Sequence, residues 1–90
     1  MDTDKAMVAF QGKGIRRTWH NEEWCFVVED VVAALTGSND PKQYIQKIKQ
    51  RDPILAQGWV QIVHTLPVDT AGGKQKMNCV NTEGAFRIIQ

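Results

Sequence analysis

The chain has 90 residues, of which 42% are hydrophobic and 23% are charged, a composition typical of one folded domain with a single core. Its formal net charge of +1 excludes a polycation that binds any anionic polymer by bulk charge alone. No apolar run approaches the ~20 residues that cross a bilayer, and the acidic start at residues 1–4 differs from a basic secretory signal, so we expect a cytoplasmic domain with no membrane contact.

The first third of the chain predicts a three-stranded meander. Runs of β-branched and aromatic side chains favour strands at 8–10, 15–19 and 24–28, with polar turn residues between the last two. Because side chains alternate along a strand, Trp24 and Phe26 lie on one face. We expect that face to point into the core.

Two helices are predicted in the middle of the chain. The first covers 29–35, since its two leading acids suit the unpaired N–H groups of a first helical turn and a glycine follows its end. The second covers 41–51, since Pro41 suits the first helical position and either Asn39 or Asp40 can cap it. These helices connect the meander to the second half of the chain.

A short helical turn and a long strand are predicted next. The dipeptide Asp52-Pro53 breaks or bends the second helix, and residues 54–56 add one helical turn before Gly58 closes the segment. Residues 59–68 are rich in β-branched side chains and predict the longest strand of the domain. Within that strand we expect His64 to be partly buried and hydrogen-bonded.

The last third predicts a hairpin and a final helix. Gly72 and Gly73 form the turn, because neighbouring glycines accept positive φ without a Cβ clash, and the return strand covers 75–80. Asn81 or Thr82 caps a helix whose apolar residues still accumulate where the sequence stops, so we expect a chain cut from a longer protein. The predicted fold class is α+β: one domain over all 90 residues, with a small antiparallel sheet and three or four short helices.

The exposed face of the second helix is the main candidate binding surface. On a helical wheel Tyr44, Ile45 and Ile48 share one arc, and amides framed by cations occupy the opposite one. The exposed set comprises Lys42, Gln43, Gln46, Lys47, Lys49, Gln50 and Arg51. Glutamine amides can pair with adenine in a major groove while lysine and arginine neutralise phosphates, so the set suits a helix laid on duplex DNA. The alternative is a solvated face built from good helix formers.

The hairpin carries a second group of candidate side chains. Lys74 and Lys76 are two residues apart on one strand, so they project from the same face and can meet phosphates together. The alternative is that their charge protects a sheet edge from pairing with another chain. Arg16 and Arg17 point to opposite faces of their strand, so at most one of them joins any patch there.

The chain lacks the spacing of a metal site and the motifs of an enzyme. Its histidines and cysteines form no CxxC or HxxxH pair, so we expect no metal and no cofactor, and we interpret Cys25 and Cys79 as reduced core thiols. No nucleophile elbow or phosphate-binding glycine loop is present, so no enzymatic activity is expected. The three tryptophans can stack on unpaired bases, but in a small domain they more often fill the core.

Four motifs follow one another in the order of a known family. They are the strand-to-helix junction Trp24-Cys25-Phe26-Val27-Val28-Glu29-Asp30-Val31, the connection Gly37-Ser38-Asn39-Asp40-Pro41, the hairpin Gly72-Gly73-Lys74-Gln75-Lys76-Met77 and the helix start Asn81-Thr82-Glu83-Gly84. Over residues 8–89 the chain resembles Bro-N domains, the N-terminal domains of baculovirus BRO proteins and of prophage antirepressors. Asp40 is a one-residue departure from the family's connection.

The resemblance implies a function and a set of partners. Bro-N domains are DNA-binding N-terminal modules of phage, viral or prophage-borne regulators, so double-stranded DNA is the expected partner. Antirepressor members relieve repression, which makes a repressor protein the alternative partner, captured by a protein-interaction module. A homodimer is a further expectation.

Overall fold

The structure is a computed structural model that describes residues 7–10 and 12–89. The acidic start at residues 1–4 lies outside them. The described elements, in chain order, are β1 (Met7–Phe10), β2 (Lys13–His20), β3 (Glu23–Val27), α1 (Val28–Thr36), α2 (Pro41–Arg51), α3 (Pro53–Ile62), β4 (His64–Thr70), β5 (Gly73–Val80) and α4 (Thr82–Ile89). These strands form an antiparallel sheet in the order β1-β2-β3-β5-β4, which confirms the α+β class.

The predicted meander at the start of the chain is confirmed. β1 pairs with β2 and β2 with β3, and His20 faces Glu23 across a two-residue turn. Trp19 and Trp24 are cross-strand partners whose rings meet edge to face, with their centroids 5.2 Å apart. Such aromatic pairs stabilise a hairpin beyond the area that they bury.

The turn between β2 and β3 predicts a stabilising substitution. Glu22 has φ +64°, a left-handed conformation that costs a residue with a Cβ roughly 1 kcal/mol relative to glycine. Glu22→Gly creates the Asn-Gly pair favoured in such turns, so we expect the free energy of unfolding to rise by up to about 1 kcal/mol. A thermal melt should show the melting temperature rise by up to about 4 to 8 °C.

The neighbouring acid Glu23 provides the control for this substitution. Glu23 is equally exposed but lies in β3, where its φ is not positive. There glycine brings its entropic cost and also removes the carboxylate that accepts from the side-chain amide of Asn81 at 3.3 and 3.4 Å, so Glu23→Gly should lower the melting temperature. A lower melting temperature for Glu22→Gly as well would contradict the left-handed turn.

The sheet buries side chains on both of its faces. One face carries Phe26 and Val80, which pack against residues of the helices. On the other face Cys25 and Val27 form a second cluster with residues of β4 and β5, because the sheet curls until β2 contacts β4. The prediction that Trp24 and Phe26 define the core face is therefore incomplete: both are half-buried, whereas the more buried side chains of β3 point the other way.

The two cysteines are confirmed as free thiols of the core. Cys25 is 2% exposed and Cys79 is fully buried. Burial raises the pKa of the Cys79 thiol to about 11, with a smaller contribution from the neighbouring Cys25. Burial also raises the pKa of Cys25. Both thiols are therefore protonated at neutral pH, and a protonated thiol is a poor nucleophile and a poor metal ligand.

The prediction of a long strand over 59–68 is wrong in its first half. Residues 59–62 belong to α3, and β4 begins only at His64. His64 is exposed, so the expectation that it is partly buried is also wrong. The single predicted turn at 54–56 is instead the start of a helix of 10 residues.

Capping and packing together explain why this segment is helical. Asp52 caps the helix, since its Oδ1 accepts a hydrogen bond of 3.1 Å from the backbone N–H of Leu55, and Pro53 occupies the first helical position. Leu55, Trp59 and Ile62 contact one core cluster and are spaced by four and three residues, which is the period of one helix face. Burial of this face outweighs the strand preference of the β-branched residues.

Candidate nucleic-acid interface

Helix α2 begins and ends where the sequence predicts. The side chain of Asp40 accepts a hydrogen bond of 3.1 Å from the backbone N–H of Gln43, and Pro41 follows as the first helical residue. Ile48 is buried, and Tyr44 and Ile45 are half-buried against the same core cluster. The predicted wheel is therefore confirmed for the core side of the helix.

The opposite side of α2 presents the candidate side chains to solvent. Lys42, Gln43, Gln46, Lys47, Gln50 and Arg51 are exposed, and Lys49 is half-buried. The ammonium of Lys49 lies over the ring of Trp59 on α3, 4.8 Å from the ring centroid. No cation of α2 forms an ion pair with any described residue, so the positive charge of this face is not neutralised within the described part of the fold.

One flank of α2 adjoins strand β5. Lys42, Gln46 and Lys49 line a groove of about 240 Å³ together with Trp59 and Asn78. Val28, Glu29 and Ile45 complete the lining, so one acid lies within an otherwise basic groove. Asn78 therefore connects the helix to the hairpin, and no pattern in the sequence marks it as a binding residue.

The hairpin extends this surface away from the groove. In β5, Lys76 and Lys74 lie on the same face as Asn78, about 7 and about 14 Å along the strand from it, and both lysines are exposed. Lys74 is 3.4 Å from Asp69, its cross-strand partner, and both side chains are mostly exposed. An exposed ion pair of this kind contributes at most ~1 kcal/mol. We call Lys42, Gln46, Lys49, Lys74, Lys76 and Asn78 the α2–β5 surface.

The turn of the hairpin uses one of its two glycines in the way that the sequence predicts. Thr70 pairs with Gly73 across Ala71 and Gly72, and only Gly73 adopts a positive φ, of +103°. The hydroxyl of Thr70 donates a hydrogen bond of 2.6 Å to the carbonyl oxygen of Gly73. The turn is thus fixed by a local contact, and its small residues leave the backbone open to a ligand.

The other flank of α2 faces helix α4. Arg51 lines a groove of about 310 Å³ with Arg87, and Asp52 contributes the acid of this groove. Lys47 lies on the same flank by the helical wheel, while the three glutamines lie between the two flanks. Sequence reasoning missed Arg87, because the spacing of residues within α2 carries no information about a neighbouring helix.

The arginines and tryptophans of the β2–β3 hairpin lie outside the α2–β5 surface. Arg16 donates to Asp30 from its Nε at 2.7 Å and from its Nη2 at 2.9 Å, and this carboxylate raises the pKa of Arg16. Arg17 lies over the ring of Trp24, 3.9 Å from its centroid. The two arginines thus point to opposite faces, as expected. Trp19 is 56% exposed, so the expectation that it fills the core is wrong.

The described residues contain neither a cluster of metal ligands nor a membrane-spanning helix. Across residues 7–10 and 12–89, no three histidine, cysteine or acidic side chains lie close enough to hold a metal ion. None of the described helices has the length and apolar character needed to cross a membrane.

The family of the chain follows from comparison with known proteins. A family model described as the N-terminal domain of the BRO family matches residues 14–90. Neither the curated proteins nor the solved structures gave a match. The matched range includes β3, β4, β5 and all four helices, and hence both segments of the candidate interface. The chain therefore belongs to the BRO family and is its N-terminal domain.

Proposed function

We propose that the domain binds double-stranded DNA through α2 and the β4–β5 hairpin, as the N-terminal module of a phage- or prophage-type antirepressor or regulator. The Bro-N domain is known as a DNA-binding N-terminal module of BRO and antirepressor proteins. The observation that carries the proposal is the shared groove, in which Lys42 and Lys49 of the helix meet Asn78 of the hairpin strand. The function is one of binding in the cytoplasm, with no catalytic step.

The dimensions of α2 suit a major groove. The helix has 11 residues and is therefore about 16 Å long, and a major groove about 12 Å wide admits one helix. With its core side fixed by Ile48, the helix directs Gln43, Gln46 and Gln50 outward. These amides can donate to and accept from the edge of adenine, which gives the domain a means of reading sequence.

The lysines of the surface supply affinity rather than specificity. Lys42 and Lys49 lie beside the amides, and Lys74 and Lys76 continue the charge along the hairpin. Phosphate contacts of this kind position a protein on the duplex and release counterions, so they make binding depend on salt. Lys74 can exchange Asp69 for a phosphate at small cost, because the pair is exposed.

A salt titration on one duplex tests the proposal. If about four to six phosphates are neutralised, the logarithm of the binding constant should fall with the logarithm of salt concentration at a slope near −4 to −5. Replacing Lys74 and Lys76 with glutamine should flatten the slope by about two units and weaken binding by up to about 1 kcal/mol per lysine.

A residue of the same strand provides the control for the hairpin. Gln75→Ala leaves the charge unchanged and lies on the other face of β5, so its slope should equal that of the wild type. A separate titration of protein into duplex, at concentrations well above the Kd, gives the number of chains bound per duplex and so tests whether a homodimer is the binding unit. Binding that ignores salt in the wild type would contradict the proposal.

Capture of a repressor protein is the second candidate function, and one apolar groove favours it. Phe86 is 65% exposed and lines a groove of about 230 Å³ with Leu35, Phe26 and Ile15. Apolar contacts depend little on ionic strength, whereas DNA binding depends on it strongly. A protein complex that forms equally well at low and high salt, with no DNA binding, would favour this second function.

A further inference from the structure

We propose that Arg51 and Arg87 form a second phosphate site, on the flank of α2 that faces away from the hairpin. This inference rests on the proposed DNA binding and deepens it, because it assigns a contact to the second strand of the duplex. It also adds α4 to the interface.

The two arginines project from helices that pack against the same core cluster. Arg51 ends α2 and Arg87 lies in the last turn of α4, and both side chains are exposed at the rim of one groove. The floor of that groove consists of Ile48, Leu55 and Ile88, which belong to a single buried cluster. Because this cluster fixes α2 and α4 relative to each other, the relative placement of the two arginines is set by the core.

The charge of the groove is available to an anion. Neither arginine forms an ion pair with a described residue. The acid of the groove, Asp52, caps α3, where its Oδ1 accepts from the N–H of Leu55 at 3.1 Å, so the lining holds two guanidinium cations against one carboxylate and stays net positive. Planar guanidinium groups match the oxygens of phosphate and donate two parallel hydrogen bonds to it.

The position of the pair fits a helix that lies in a major groove. Such a helix has a phosphate backbone on each side, so it requires cations on both flanks. Lys42 and Lys49 supply one flank and are continued by the hairpin, and Arg51 is continued by Arg87 on the other. The glutamine arc lies between them, in the direction of the base pairs.

A salt titration of Arg87→Gln on the same duplex tests the site. We expect this variant to bind about fivefold more weakly than the wild type at ~0.1 M salt, with a slope flatter by about one unit and no change in sequence preference. Arg87→Lys keeps the charge and should keep the slope. Lys13→Gln is the control, since Lys13 is an exposed cation of β2 that lies outside α2, α4 and the β4–β5 hairpin. This variant should change neither the affinity nor the salt slope.

The outcomes separate this site from the proposed function. If Arg87→Gln binds as the wild type does while the double variant Lys42→Glu, Lys49→Glu loses affinity, the second phosphate site is wrong and DNA binding by the α2–β5 surface stands. If both variants bind as the wild type does, the proposed function itself fails. Circular dichroism melts of the glutamine and lysine variants show whether a loss arises from unfolding, and equal losses in both folded variants would contradict a role for charge at this position.

Discussion

The double variant Lys42→Glu, Lys49→Glu should bind duplex DNA about 100-fold more weakly than the wild type at ~0.1 M salt. Both side chains line the groove that joins α2 to β5, so the change removes two phosphate contacts and places two carboxylates against the backbone. Each lost contact is worth up to about 1 kcal/mol, and screened repulsion adds a similar amount. Fluorescence anisotropy at several salt concentrations measures both the affinity and the slope.

Two comparisons make this result interpretable. The double variant Lys42→Gln, Lys49→Gln removes the phosphate contacts without adding repulsion. Its affinity for duplex DNA should therefore lie between those of the wild type and the glutamate variant. Lys49 also lies over Trp59, and loss of that cation–π contact costs about 0.5 to 1 kcal/mol of stability, which a melt will show separately. A folded double variant with unchanged affinity would exclude the α2–β5 flank of the helix from the interface.

Local signals were sufficient to predict most of the elements. Helix α2 was predicted to the residue, because Asp40, Pro41 and the spacing of Tyr44, Ile45 and Ile48 act within one short segment. The β2–β3 and β4–β5 hairpins were also predicted, since their turns are marked by polar residues or glycine. These features depend on neighbours in sequence, so they can be read without knowledge of the fold.

The sequence does not predict helix α3 because the dipeptide Asp52-Pro53 is compatible with two structures. Asp52-Pro53 ends a helix, and it also caps and begins the next one. The β-branched residues that follow favour a strand on propensity alone. The helical period of Leu55, Trp59 and Ile62 decides the outcome through burial in a cluster built from distant parts of the chain.

The segments that form the candidate site can be predicted from the sequence, but the way in which they come together cannot. The nine candidate side chains all lie on α2 or β5, yet sequence spacing gave no reason to expect that the two segments meet. They meet because β5 inserts between β3 and β4, which brings Asn78 next to the groove of α2. Arg87 was missed for the same reason, since its approach to Arg51 depends on how α4 packs.

Truncation of Ile48 should strongly lower the stability of the domain. Ile48 is 6% exposed and packs with buried residues of α1, α3, α4 and β5. Ile48→Ala removes buried methyl and methylene groups and leaves a cavity, so we expect the free energy of unfolding to fall by about 2 to 5 kcal/mol. For a domain of this size the melting temperature should fall by roughly 10 °C or more.

The exposed Gln50 on the same helix is the control, and the pair of variants tests which way α2 faces. Gln50→Ala touches no core residue and improves helix propensity, so its melting temperature should stay within a few degrees of the wild type. In the folded state Ile48→Ala removes no phosphate contact, so its salt slope should equal that of the wild type even if its affinity falls. If instead Ile48→Ala melts like the wild type and Gln50→Ala does not, the helix is rotated relative to the core, and Gln43, Gln46 and Gln50 do not point toward a ligand.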